Sequence, residues 1–228
     1  LEGKMSILFP ETDYAYLEQR AEATRGQCFL CDDRWRTATP TYSTDILPEG
    51  RLQRGEVALF PNLFPVSAFH AVVKVGDRHF RLPNEISADL LEDAFTVSIE
   101  SFRQYHRRHP SIRYFTINAN FLLPAGASII HPHLQLLGSP FPGTYQELLL
   151  EKGLDYYKTH GSCYWTDLAE EEKALGERLI AQIGGSTWFA AYAPGGANEI
   201  NAGWTEGSHF LEWGPDESRQ MAHGLSRA

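Results

Sequence analysis

Residues 118–139, NANFLLPAGASIIHPHLQLLGS, decide the fold of this chain. At their centre stand His131, His133 and Gln135, spaced i, i+2, i+4 and flanked by Ile129, Ile130, Leu134, Leu136 and Leu137. An apolar frame of that period predicts a β-strand over Ile129–Leu137, with alternate side chains on a common face. The two imidazoles and the amide are therefore expected to line one face together, within reach of a single ligand. Pro132 donates no hydrogen bond, so this strand is an edge or begins there. The small residues of Pro124-Ala-Gly-Ala-Ser128 would let a phosphate approach the backbone amides closely. One His on a strand is ordinarily a satisfied core or surface residue. Two His and a Gln on one face, behind a small-residue loop, point to chemistry instead.

Working outward, Arg113–Asn118 reads as a strand, and Ser87 caps a helix running to about His109. Leu91, Ala94, Phe95, Ser98, Phe102 and Tyr105 share one side of that helix and should lie on the sheet. His106-Arg-Arg-His109 at its end complements the helix dipole as a solvated terminus. Glu56–Phe60 and Phe69–Val75 read as strands joined through Pro61-Asn62-Leu63-Phe64-Pro65. Cys31 to Gly55 reads as loop, and Tyr14–Glu22 as a short helix. Residues 1–150 thus form an antiparallel α+β unit of order β-β-α-β-β, with a helix on one face.

Residues 151–228 follow as a second unit, entered by a short helix at Tyr145–Glu151. A long helix is expected over Asp167–Gln182, with Leu168, Leu175, Leu179 and Ile183 as its apolar side. Thr187–Ala193 and Glu199–Trp204 read as strands around the turn Pro194-Gly-Gly-Ala197, and an amphipathic segment starts at Glu217. Met221 and Leu225 have no following strand to cover them, so an exposed or shared apolar face, as in a homodimer, is expected there. The chain opens with Leu1 rather than Met, which suggests processing or trimming.

The 228 residues can bury a sizeable core as one large domain or two small ones, and 43% hydrophobic with 21% charged residues is ordinary for a globular protein. A net charge of −9 argues against nucleic acid or an anionic membrane as a general partner, although a few amides and cations can still hold a nucleotide phosphate. No apolar run approaches a membrane span and no signal-peptide pattern is present, so the cytoplasm is the default location. Of three cysteines, Cys28 and Cys31 form a CxxC, which suggests a metal site rather than a disulfide framework. Cys163 reads as a packing residue.

His131-Pro-His-Leu-Gln135, preceded at fixed distances by Asn120, Gly126 and Ser128, resembles the active-site signature of the galactose-1-phosphate uridylyltransferase branch of the histidine-triad superfamily. The block Cys28-Phe-Leu-Cys31 resembles that family's zinc cysteines. Asn62-Leu-Phe-Pro65, leading into His70-Ala-Val-Val and His79, resembles the superfamily's first hairpin. The resemblance covers residues 26–150. It implies a histidine-triad-like (HIT-like) antiparallel sheet with helices on one face, followed by a partial second half of the same kind. The family's second half helps to bind the sugar phosphate, and here it looks truncated or short. Asn62 and Asn120 are, by the resemblance, candidates for nucleotide contacts. Leu63 stands where the family commonly has Asp.

Two thiolates and two imidazoles suit a closed, structural zinc site, and Cys28, Cys31, His79 and His131 are the expected ligands, with His70 competing as the fourth. His133 is the expected nucleophile toward the α-phosphorus of a nucleoside diphosphate compound. Gln135, Ser128 and the amides near Gly126 would supply donors to the non-bridging oxygens. An amide can donate to phosphate but delivers no proton near neutral pH, so Gln135 favours transfer to a phosphorylated acceptor over hydrolysis. The function implied is movement of a nucleoside monophosphate from a nucleoside diphosphate sugar to a hexose 1-phosphate, in galactose metabolism. Two alternatives stand beside it: a phosphorylase of diadenosine tetraphosphate or an ADP-sugar, and a zinc-stabilised nucleotide-binding module without turnover.

Overall fold

A computed structural model describes residues 13–122, 125–204 and 209–227. Its N-terminal part runs α1 (Tyr14–Arg25), α2 (Trp35–Ala38), β1 (Leu52–Arg54), β2 (Val57–Pro61), β3 (Phe69–Lys74), α3 (Ala88–Arg108), β4 (Tyr114–Asn118) and β5 (His133–Ser139). The strands form one antiparallel sheet in the order β1-β2-β3-β5-β4. This is the expected α+β architecture, with one strand more than the alternation predicted. β1 is only three residues long, and its pattern is largely exposed, so it carries almost no periodic signal.

The two faces of this sheet have separate partners, as alternation requires. One face presents Val57, Leu59, Phe69, Ala71, Val73, Leu134 and Leu136 to Ala94, Val97 and Phe102 of α3, which close the main core. Phe102 sits between Phe69 and Phe115, with ring centroids 5.7 and 4.4 Å away. The Ser87 hydroxyl accepts from Leu90 N–H at 3.3 Å and starts α3 where the sequence places it. The opposite face presents Ala58, Phe60 and Val72 to a small second core of Cys28, Leu30, Cys31 and Trp35.

β5 begins at His133, not at Ile129, and it lies inside the sheet. Pro132 cannot donate to the ladder, although its carbonyl still accepts from Val75 N–H at 2.9 Å. His131 consequently stands before the strand.

The second part comprises α4 (Thr144–His160), α5 (Tyr164–Leu175), β6 (Leu179–Ile183), β7 (Ser186–Ala190), β8 (Ile200–Trp204) and α6 (Pro215–Leu225). Here the helix expected to reach Gln182 stops at Leu175. Gly176, at φ +69°, caps it through an N–H bond of 3.0 Å to the Glu172 carbonyl. Leu179 and Ile183 mimic helical spacing but belong to β6. The three strands pair β6-β7-β8 and precede a helix, repeating the order of β1-β2-β3 and α3. α6 packs on α3, and Met221 joins the edge of the main core, while Leu225 remains 44% exposed. Gly224 also lets α6 close on β7, because a Cβ there would meet the Trp188 ring at 1.9 Å. α4 buries none of its residues, and Cys163 is exposed just before α5 rather than packed. Among the described residues no helix is long and apolar enough to cross a membrane.

Candidate functional site

The loop after α1 folds into a tight knuckle around the two cysteines. Arg34 holds its ends together, donating to Gly26 O at 2.6 Å, Arg25 O at 3.1 Å and Cys31 O at 3.3 Å. Trp35 and Leu30 anchor it on the sheet. This brings Cys28, Cys31, His79 and His131 into one buried cluster whose donor atoms all lie within 4.8 Å of one another. Cys31 Sγ is 3.3 Å from His79 Nδ1 and 3.4 Å from His131 Nδ1, and Cys28 Sγ is 3.9 Å from His131 Nδ1. A tetrahedral zinc with ordinary bond lengths separates its ligand atoms by about 3.3–3.8 Å. The cluster therefore has the dimensions of a four-ligand metal site.

The outer hydrogen bonds agree with that use. His131 Nε2–H donates to the Gly76 carbonyl at 2.8 Å, and His79 Nε2–H to the Ala21 carbonyl at 3.0 Å. Each bond places the ring proton on Nε2 and leaves a lone pair on Nδ1, aimed at the cysteines. Burial lowers the pKa of His131 to about 4 and lowers that of His79, so both rings favour the neutral form that binds metal. Burial, with Cys28 beside it, pushes the Cys31 thiol up to about 12. Without a cation that thiol keeps its proton; a divalent ion would compensate the thiolate charge. His70, the competing ligand, takes no part in this cluster.

His133 follows at the edge of the knuckle. Its Nδ1–H donates to the His131 carbonyl at 2.9 Å, which leaves the lone pair of the neutral ring on Nε2. Its register partner on β3 is Lys74, whose buried ammonium donates to the Glu56 carbonyl at 3.1 Å, pairs with Asp77 and lies 5.9 Å from the Trp35 ring. Two residues on, Gln135 pairs with Val72 on β3 and Asn118 on β4, on the face that carries His133. Its side-chain oxygen is 2.7 Å from His70 Nε2 and 3.5 Å from Asn62 Nδ2. Asn62, His70 and Gln135 thus converge at the open end of the strand face that the knuckle covers at the other.

The structure brings some expected residues together and separates others. His133 and Gln135 share a face as expected, but His131 is fully buried in the cysteine cluster, so the two imidazoles do not share one ligand. Asn120 leaves β4 two residues after Asn118, toward the level of His133. Gly126 has φ +88°, where a side chain would be strained, and its Cβ position lies 3.7 Å from Asn120 Nδ2. Ser128 is exposed on the same loop, and Pro124 of that loop lies outside the described residues. Two participants were not read from the sequence: Lys74 and, at Gln135, His70. The alternation of β3 places both on the face of His133, and that signal was present.

No protein-family model matches the chain. An uncharacterized protein of Archaeoglobus fulgidus is 31% identical over 212 residues, covering 92% of this chain, and the chain spans 62% of that relative's length. A solved GalT-like protein from Arabidopsis thaliana superimposes with a TM-score of 0.72 at 20% identity, over 87% of this chain and 67% of its own. An Arabidopsis thaliana ADP-glucose phosphorylase with bound ADP-glucose gives 0.69 at 18% identity, over 97% and 70%. A uridylyltransferase gives 0.68 at 19% identity, over 76% and 61%. The chain has the histidine-triad-like fold of the galactose-1-phosphate uridylyltransferase type.

Proposed function

We propose that the chain carries a nucleotidyl-transfer centre in which His133 is the nucleophile. The observation that carries this reading is the bond from His133 Nδ1–H to the His131 carbonyl, which leaves Nε2 as the free nitrogen beside Gln135. In the first step Nε2 bonds to the α-phosphorus of a nucleoside diphosphate sugar. The bond from that phosphorus to the bridging oxygen breaks, and the sugar phosphate leaves with the electron pair. In the second step an oxygen of a hexose 1-phosphate attacks the same phosphorus and the imidazole is released. A phosphate leaving group needs little proton delivery, which suits an amide at position 135. Gln135, with the amides around Gly126, Ser128 and Asn120, would hold the non-bridging oxygens, and Asn62 would contact the nucleotide.

A zinc ion held by Cys28, Cys31, His79 and His131 would have no open position, and its contribution there would be structural. It would fix the knuckle and the His131 carbonyl on which the His133 tautomer depends. The division into residues 1–150 with the transfer centre and 151–228 as a partial second half belongs to the same proposal. A cytoplasmic setting is assumed, with a homodimer as one way to cover the apolar end of α6.

A second reading is phosphorolysis of an ADP-sugar or of diadenosine tetraphosphate, with the adenylate passed to inorganic phosphate. Leu63 in place of the uridylyltransferase Asp favours it, and so does the breadth of the match to the ADP-glucose phosphorylase. Both readings use His133. Assays with UDP-glucose and ADP-glucose as donors, and with hexose 1-phosphate and phosphate as acceptors, separate them. His133→Ala should lower transfer by about 10⁴-fold and Gln135→Ala by about 10²-fold. Binding of either donor without turnover would leave only a nucleotide-binding module.

A further inference from the structure

The orientation of the Gln135 amide follows from donors whose identity is unambiguous. Val66 N–H lies 3.1 Å from His70 Nδ1. A backbone N–H can only donate, so Nδ1 accepts and the neutral ring holds its proton on Nε2. That Nε2–H faces Gln135 at 2.7 Å, and the atom receiving it must be the amide oxygen, Oε1. Asn62 is polarised in the same way. Its Oδ1 accepts from Phe64 N–H at 2.8 Å, which turns Nδ2 toward both His70 Nε2 at 3.1 Å and Gln135 Oε1 at 3.5 Å; since Nε2 already carries the ring proton, Oε1 is the acceptor of the two. His70 Nε2–H is thus the close donor to the Gln135 oxygen, with Asn62 Nδ2 the distant one at 3.5 Å, and the amide hydrogens remain for the space beside His133.

We infer that His70 is a positioning residue that locks the Gln135 amide with its hydrogens toward an incoming phosphate. In its function this rests on the nucleotidyl-transfer reading; the lock itself does not. Without His70 the amide is free to turn over and set its oxygen against the phosphate oxygens, replacing a donor by an acceptor. The two main-chain donors lie in the exposed turn carrying Leu63, Phe64 and Val66, so the hairpin backbone is the origin of the lock.

The test has two arms. Nitrogen-15 NMR of histidine- and glutamine-labelled protein should show His70 protonated on Nε2, and a single ordered Gln135 side-chain amide that becomes mobile in His70→Phe. A proton on Nδ1, or an amide signal unchanged by His70→Phe, overturns the lock whatever the enzyme does. In the second arm, the rate of nucleotidyl transfer to His133 is followed. His70→Phe should slow it by about 10²-fold, the cost of one misaligned donor, with little change in the half-saturating nucleotide concentration. His70→Gln, whose amide nitrogen reaches the Nε2 position, should recover most of that loss. In a Gln135→Ala background, His70→Phe should cost less than about three-fold. Equal losses in both backgrounds overturn the positioning role. If wild-type protein takes up no nucleotide, the nucleotidyl-transfer reading and the catalytic role of the lock fall, and the spectra alone decide whether the lock exists.

Discussion

Cys31→Ser tests whether a metal fastens the knuckle to the sheet. The segment from Gly26 to Ala38 includes Asp32 and Asp33 at φ of 52° and 59°, a conformation that L-residues adopt only at a cost. Ordering on the order of ten such residues costs about 1–2 kcal/mol each. Against this, its two large buried side chains, Leu30 and Trp35, supply about 1.5–3 kcal/mol each. A gap of roughly 4–17 kcal/mol remains, a range that includes what structural zinc contributes, about 10–16 kcal/mol. Cys31 Sγ touches both histidine donors, so replacing it removes the centre of the ligand set. Metal analysis of the variant should show zinc lost. Hydrogen exchange should show protection lost over residues 26–38 but kept in α3 and in β3, whose other face packs in the main core. Chelation of the wild type should reproduce that pattern. Full protection of the knuckle in a metal-free variant would refute the reasoning, because side-chain burial alone would then suffice.

The same cluster gives a pH dependence. Burial holds His131 at about 4 only while the knuckle is closed over it, against near 6.5 when exposed, so below pH 6.5 opening the knuckle takes up a proton. Acid should therefore favour opening, shifting the closed–open balance of the knuckle by about 3 kcal/mol between pH 6.5 and 4; zinc retention and hydrogen exchange over residues 26–38 at each pH measure it. Metal binding at pH 7 should release at least one proton per ion, that of Cys31, and calorimetry in buffers of different ionisation enthalpy counts it. Gly224→Ala places a methyl 1.9 Å from the Trp188 ring and should lower stability by about 1–3 kcal/mol, with α6 losing exchange protection before β3.

Much of the fold was legible because its period is carried by large apolar residues. The α3 stripe through Ala94, Phe95 and Phe102 and the β5 alternation through Leu134 and Leu136 stand at the expected positions. β1 escaped notice because three half-exposed residues define no period, and β6 because Leu179 and Ile183 fit a helix as well as a strand. Gly176 held the deciding signal, since a left-handed cap ends a helix regardless of the apolar pattern beyond it. At the site, alternation put His133 and Gln135 on one face but could not show His131 turning aside to the cysteines. Strand period governs side chains within a ladder, and Pro132 excludes His131 from it. Choosing His79 over His70 for the cluster likewise required the loop after Lys74, whose path sequence spacing does not define.

The central claim is that His133 takes up the nucleotidyl group through Nε2. Its most direct measurement is intact mass of the wild type after incubation with UDP-glucose or ADP-glucose and no acceptor, followed by peptide mapping at neutral pH. The account predicts one added nucleoside monophosphate per chain, on His133, absent in His133→Ala and discharged on adding a sugar phosphate or phosphate acceptor. An adduct on another residue, or transfer to acceptor that proceeds undiminished in His133→Ala, would contradict it.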